Sequence, residues 1–176
     1  MLKTLCTTLF FGSVLYGYSQ QNAELFNHGR TRCYFGGMTW GEGGKDLFHT
    51  HNYVSDTAVG IVNKIALSKW KQGEWENPIF NDFIPGYSES YPAWHASKKR
   101  LYFSSAAPLP GKTSGDDLNI WYTDRRGDNW TKPVPLSALN TDKNDMISFI
   151  DENENFYVVN NSEGSLNIYI CAPVQD

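Results

Sequence analysis

The sequence predicts an all-β fold made of about three copies of one antiparallel unit, on three observations. Aromatic residues make up 15% of the 176 residues, with 10 Tyr, 10 Phe and 6 Trp, which suits pleated sheets better than helices. The chain is self-similar at a shift of 55 positions, as expected of a repeat architecture. Its short apolar runs do not alternate with polar residues, so both faces of each strand have to be covered by protein. The length allows one domain with a real core and hardly two.

The first stretch reads as a leader, not as part of this fold. Lys3 gives a short positive region, Leu5 to Leu15 is mainly apolar, and Gly17 and Ser19 are small residues before a cut at Gln20. Residues 1–19 match a secretory signal peptide, which leaves 20–176 as one repeat domain of an exported chain, periplasmic or extracellular. The apolar run is too short for a membrane span, which needs roughly 20 residues. Cys6 lies inside that run, so a lipid anchor is not indicated. Cleavage leaves Cys33 and Cys171, open to a disulfide in an oxidising compartment or to burial as free thiols. The net charge of −4, with no long basic run, excludes a phosphate-tracking surface and so a nucleic-acid partner.

The central unit, Glu89 to Pro133, is the most complete copy. At the 55-residue shift Ile65 falls on Ile120, Trp75 on Trp130, Pro78 on Pro133 and Tyr102 on Tyr157, with Glu89 on Asn144 and Trp94 on Phe149. An earlier copy follows from matching His28–Gly37 to His95–Ser105 with one residue deleted, and Leu166–Ile170 repeats Leu118–Tyr122. Two strand types result. One type, rich in Tyr and Phe, is expected at Cys33–Phe35, Leu101–Phe103 and Phe156–Val158. The other, opening on Asn, is expected at Asn63–Leu67, Asn119–Tyr122 and Asn167–Ile170. The units span about 24–80, 88–135 and 143–170.

Small sheets stacked face to face cover strands of this kind, as the radially stacked blades of a β-propeller do. Trp75 and Trp130 each follow a glycine turn at the same point of the unit and are expected to fill space between sheets. Gln72–Glu74 and Gly127–Asn129 read as hairpin connections, with Pro78 and Pro133 at strand ends. The loops joining the two strand types vary in length. They run from Gly36 to about Gly60, from Ala106 to Asp117 and from Asn160 to Ser165, and such loops are where specificity usually sits.

The stretches Glu89–Pro92, Leu101–Ser105, Asp117–Tyr122, Gly127–Trp130 and Asn140–Thr141 together resemble the WD40-like, TolB-type β-propeller repeat of exported proteins from Bacteroidetes-type bacteria. The resemblance implies propeller blades of antiparallel strands and a binding or scaffolding role in the cell envelope. A closed propeller has four or more blades. With two and a half to three units, the expectation is an open or partial propeller, a ring completed by oligomers, or a truncated reading frame. The last copy stops after its second strand with no glycine–tryptophan turn, which favours an exposed edge that pairs with a partner protein or with itself.

The most individual stretch is the glycine-rich insert of the first copy. Trp40, Phe48 and Tyr53 there are candidates to stack on a ligand such as a sugar, beside His49 and His51. The two histidines have a spacing that zinc can use, with Asp46 and Asp56 nearby, but no third ligand stands at a recognisable spacing. Asp151–Phe156 alternates acidic and amide residues but lacks the glycine and glutamate a calcium loop needs, so it reads as a polar turn. No metal, cofactor or catalytic residue is assigned. The enzyme alternative is a sialidase-like glycan-processing propeller, for which Asp116, Asp117, Glu89 and Arg125 are available. No nucleophile-elbow, phosphate-loop or HExxH motif is present.

Overall fold

A computed structural model describes residues 37–54, 61–112, 117–161 and 163–173, all within one compact unit, Tyr34–Asp176. The leader 1–19, the strand expected at Cys33–Phe35, Asp56 and Asp116 lie outside the described residues. The described chain is all-β, with three antiparallel sheets and no α-helix.

Sheet 1 runs β1 (Met38–Trp40), β2 (Asp46–Val54) and β3 (Ile61–Lys71), with β4 (Glu74–Trp75) and β5 (Ile79–Asn81) both on the far edge of β3. Sheet 2 runs β6 (Glu89–His95), β7 (Arg100–Ser105) and β8 (Asn119–Arg126), and β9 (Asn129–Trp130) and β10 (Val134–Pro135) share the far edge of β8. Sheet 3 has three strands, β11 (Asp145–Ile150), β12 (Phe156–Asn160) and β13 (Asn167–Cys171).

Hydrogen-bond register gives the 55-residue repeat a physical meaning. Ile65 lies opposite Thr50 as Ile120 lies opposite Ser104, and Trp70 pairs with Trp75 as Arg125 pairs with Trp130. Both hairpin turns read from the sequence are present. Gln72 and Gly73 have φ of 53° and 89°, and Gly127 has φ of 62°, the left-handed backbone that two-residue hairpins demand.

The same register corrects three expectations. Within its described residues the insert of the first copy is mainly strand, β1 and β2, and not loop. The place beside β3 belongs to Leu47–His51, which stands where Leu101–Ser105 stands beside β8, and not to Cys33–Phe35 as expected. Tyr34–Phe35 shares residue identity with Tyr102–Phe103, whereas pairing follows chain adjacency and the apolar–hydroxyl pattern, which Leu47, Phe48 and Thr50 share with Leu101, Tyr102 and Ser104. Finally, Glu89 opposite Ser105 corresponds to Asp145 opposite Asn160, not to Asn144, and Trp94 corresponds to Ile150, not to Phe149. The first strands of sheets 2 and 3 each carry an irregularity, between Ser90 and Ala93 and between Ile147 and Phe149, and each inserts one extra residue relative to the paired strand.

The sheets stack head to tail, each through the same face. Phe48, Ile65 and Leu67 of sheet 1 pack against Trp94, Leu101, Phe103 and Trp121 of sheet 2. The opposite face of sheet 2, with Ala93, Tyr102 and Ile120, packs against Ile147, Phe156 and Val158 of sheet 3. Sheet 2 is therefore covered on both sides, which is why every residue of β7 is buried and why the run does not alternate. Trp130 fills the junction of sheets 1 and 2, with ring centroids 5.4 Å from Phe83 and 5.8 Å from Phe48. Trp75 instead packs within its own sheet, 5.3 Å from Trp70 and 5.8 Å from Trp40.

Candidate functional site

The five residues proposed from the first-copy insert do not form one surface. Phe48 is wholly buried in the core between sheets 1 and 2, stacked on Trp94 at 5.6 Å, and so packs the fold instead of presenting a ring to a ligand. His49 points to the other face of β2 and is also wholly buried, with Nε2 3.2 Å from the Ser68 hydroxyl. Burial, then the neighbouring His51, lowers its pKa to about 4, so the ring is neutral across the physiological range. His51 meets Phe80 edge to face at 5.0 Å. Trp40 is 40% exposed on β1 and occupies the register position of Trp94, opposite Leu47 as Trp94 is opposite Leu101. Tyr53 lies on β2 opposite Val62, and its side chain is outside the described residues.

Of the two carboxylates near the histidines, Asp46 is engaged elsewhere and Asp56 lies outside the described residues. Asp46 is tied to Arg125 of sheet 2 at 2.5 Å. Among the described residues no group of three or more His, Cys, Asp or Glu side chains is placed to hold a metal.

The acidic residues of the repeat have a different role. Glu89 is wholly buried, and its Oε1 accepts the backbone N–H of Ile84 at 2.6 Å, fastening the loop that precedes β6. Lys64 lies 3.6 Å from the same oxygen and donates to the Asp82 carboxylate and, at 2.9 Å, to the Tyr87 carbonyl. The Glu89 Oε2 is buried with no hydrogen-bond partner. Burial pushes the carboxyl up to about 7, against the opposing pull of the Ile84 N–H and the Lys64 ammonium. Asp145 repeats the motif, its carboxylate accepting the N–H and hydroxyl of Thr141 and the amide of Asn160. Of the groups available to a glycan-processing reaction, Glu89 is thus enclosed in a sheet junction and Arg125 is paired to Asp46, while Asp117 is half-buried.

Among the described residues, sheet 3 carries a cluster of exposed apolar side chains. The face of sheet 3 that corresponds to the receiving faces of sheets 1 and 2 carries Phe149, Tyr157, Val159, Ile168 and Ile170. Phe149 is 56%, Ile168 71% and Ile170 65% exposed, whereas Ile120, at the position of Ile168, is wholly buried. This apolar face was not legible in the sequence, although the apolar Ile168 and Ile170 and the change from Ser104 to Val159 were the available signal. Among the described residues no helix is long and apolar enough to cross a membrane.

No known family model matches this chain, and no curated protein and no solved structure matches it.

Proposed function

We propose that this chain is an exported module of β-propeller-type blades, an open arc of three, that acts as a protein-binding scaffold in the cell envelope and not as an enzyme. The observation that carries this reading is the uncovered side of sheet 3. Two successive sheets dock through equivalent faces, and the third presents the same face with Phe149, Ile168 and Ile170 in solvent. Exposed apolar patches of this kind on an otherwise packed stack mark interaction surfaces. The leader-like 1–19 and the likeness to WD40-like, TolB-type repeats support export and the propeller-type arrangement. The glycan-processing alternative has less to stand on, because Glu89 and Arg125 are taken up in sheet-to-sheet contacts.

The reading is tested by photo-crosslinking in cells. A benzophenone side chain at Phe149 or Leu166 is expected to give a discrete protein adduct in the envelope fraction, while the same group at the exposed Glu74 gives none. Release of sugar from a glycoconjugate panel, abolished by Asp117→Asn and unaccompanied by any adduct at Phe149, would overturn it in favour of the glycan enzyme.

A further inference from the structure

We infer that the edge of β13, which no described strand fills, takes up an extended strand from a partner polypeptide, hydrogen-bonded along Ile168 to Ile170 with apolar side chains beside theirs. The inference rests on the binding-module reading and specifies the partner.

The two earlier sheets show what belongs at this edge. In sheet 1 the far side of β3 is closed by β5, paired at Ile65 to Leu67, and in sheet 2 the far side of β8 is closed by β10, paired at Trp121 and Tyr122. Among the described residues β13 pairs with β12 alone.

Strand geometry fixes which groups face the opening. In sheet 2 the N–H of Ile120 donates to the Asn140 side-chain oxygen at 2.7 Å, and its carbonyl accepts from the Leu136 N–H at 2.9 Å and the Asn140 amide at 3.0 Å. Ile168 stands opposite Val159 as Ile120 stands opposite Ser104. Its N–H and carbonyl therefore point to the open edge, and the alternation of a strand points those of Ile170 the same way. A row of unmet backbone groups flanked by apolar side chains is a template for strand addition.

The face itself argues for a strand over a further sheet. Each docked sheet donates a backbone N–H from its first strand to a hydroxyl beneath it, Tyr91 to Thr50 at 3.1 Å and Ile147 to Ser104 at 3.1 Å. The corresponding residue of sheet 3 is Val159, which has no acceptor, so a sheet docked in this way would bury an unmet donor. An added strand meets its backbone needs at the edge and brings only side chains to the face. The occupants of the equivalent edges, Ile79–Asn81 and Val134–Leu136, are uncharged, and β13 carries no charged residue to repel such a segment.

The test uses the full chain and a synthetic peptide of residues 131–141, the segment that closes the equivalent edge of sheet 2. Hydrogen exchange at the Ile168 and Ile170 amides is expected to be fast in the free protein and at least about tenfold slower with saturating peptide. Ile168→Pro removes an N–H that the sheet itself does not use, so it is expected to weaken peptide binding at least about tenfold with the melting temperature unchanged. Ile170→Lys provides a second variant with the same expectation. Amides already protected in the free chain would mean that the edge is filled from within, and the proposal fails. Peptide binding that leaves those amides fast shows mere apolar adsorption, which also sinks it, as does no saturable binding up to about 1 mM. Crosslinks from Phe149 that persist in Ile168→Pro would dispose of strand addition while leaving the binding module intact. Absence of any adduct from the benzophenone at Phe149 when Ile168 is intact counts against the module itself.

Discussion

Tyr91 donates its backbone N–H to the Thr50 hydroxyl at 3.1 Å, from a strand 41 residues further along the chain. The irregularity in β6 frees that N–H from its own sheet, and Tyr91 accordingly has φ of 54°. Ile147 and Ser104 repeat the bond at the next junction. The serine at the end of the Leu101–Ser104 run is therefore a fastener between sheets. Replacing it by valine leaves a buried N–H unmet, and Ser104→Val is expected to lower stability by about 1–3 kcal/mol in urea titration. Val159→Thr, on the open face, is expected to change it by less than about 0.5 kcal/mol. Equal effects at the two sites would show that the hydroxyl does not fasten anything.

Glu89 and His49 oppose one another in the pH dependence of stability. The folded pKa of Glu89 is raised from 4.5 to about 7, so its contribution is fully present below pH 4.5 and is lost as pH rises through 7. The folded pKa of His49 is lowered from 6.5 to about 4, so its contribution is present above pH 6.5 and is lost as pH falls through 4. Each shift corresponds to about 3 kcal/mol at most. Between pH 4.5 and 6.5 the two slopes cancel. Glu89→Gln is expected to raise stability at pH 8 and to unmask a decline below pH 6.5. His49→Gln is expected to unmask the opposite decline between pH 4.5 and 7. Urea midpoints from pH 4.5 to 8 check this, and a Glu89→Gln profile parallel to that of the unsubstituted chain would refute it.

Trp130 touches Phe48, Phe83 and Trp94 around the junction of sheets 1 and 2. Trp130→Ala removes that contact from a half-buried site and is expected to lower stability by about 2–4 kcal/mol. Trp75→Ala perturbs a cluster with Trp40 and Trp70 inside sheet 1 and is expected to have the smaller effect, read as the difference in midpoint between the two variants.

The strand order was legible because it follows from local signals. Gly73 and Gly127 mark hairpins, and the apolar runs at Leu101–Phe103 and Asn119–Tyr122 mark strands covered on both faces. Register was less legible. The turn between first and second strands is one residue shorter in the third unit, from Ile150 to its partner Phe156 as against Trp94 to Leu101, and this moved the acid of the third unit from Asn144 to Asp145. The first-unit site misled for a related reason. In Leu47–His51 the hydroxyl position is held by Thr50, but the Phe103 position is held by His49, so a core strand looked like a ligand loop. Exposure at Ile168 and Ile170 depends on which sheet lies above them, and no single strand encodes that.

Arg125 provides the sharpest separation between structure and catalysis. Its guanidinium meets Asp46 at 2.5 Å, joining β8 to β2, and the two side chains are 13% and 12% exposed. It also donates to the Gly127 carbonyl at 3.2 Å, which fixes the turn beneath Trp130. A pair this well enclosed leaves an uncompensated charge when one member is removed. Arg125→Met and Asp46→Asn are each expected to lower stability by about 1–3 kcal/mol, and the double substitution by little more than either alone, a coupling of about 1 kcal/mol or more. Coupling falls where salt screens the charges, but only weakly for a pair shielded from solvent, so the cycle repeated in 0.5 M salt is expected to change by less than half. Additive single effects would remove Asp46 as the partner of Arg125 and return that arginine to the candidates for substrate binding.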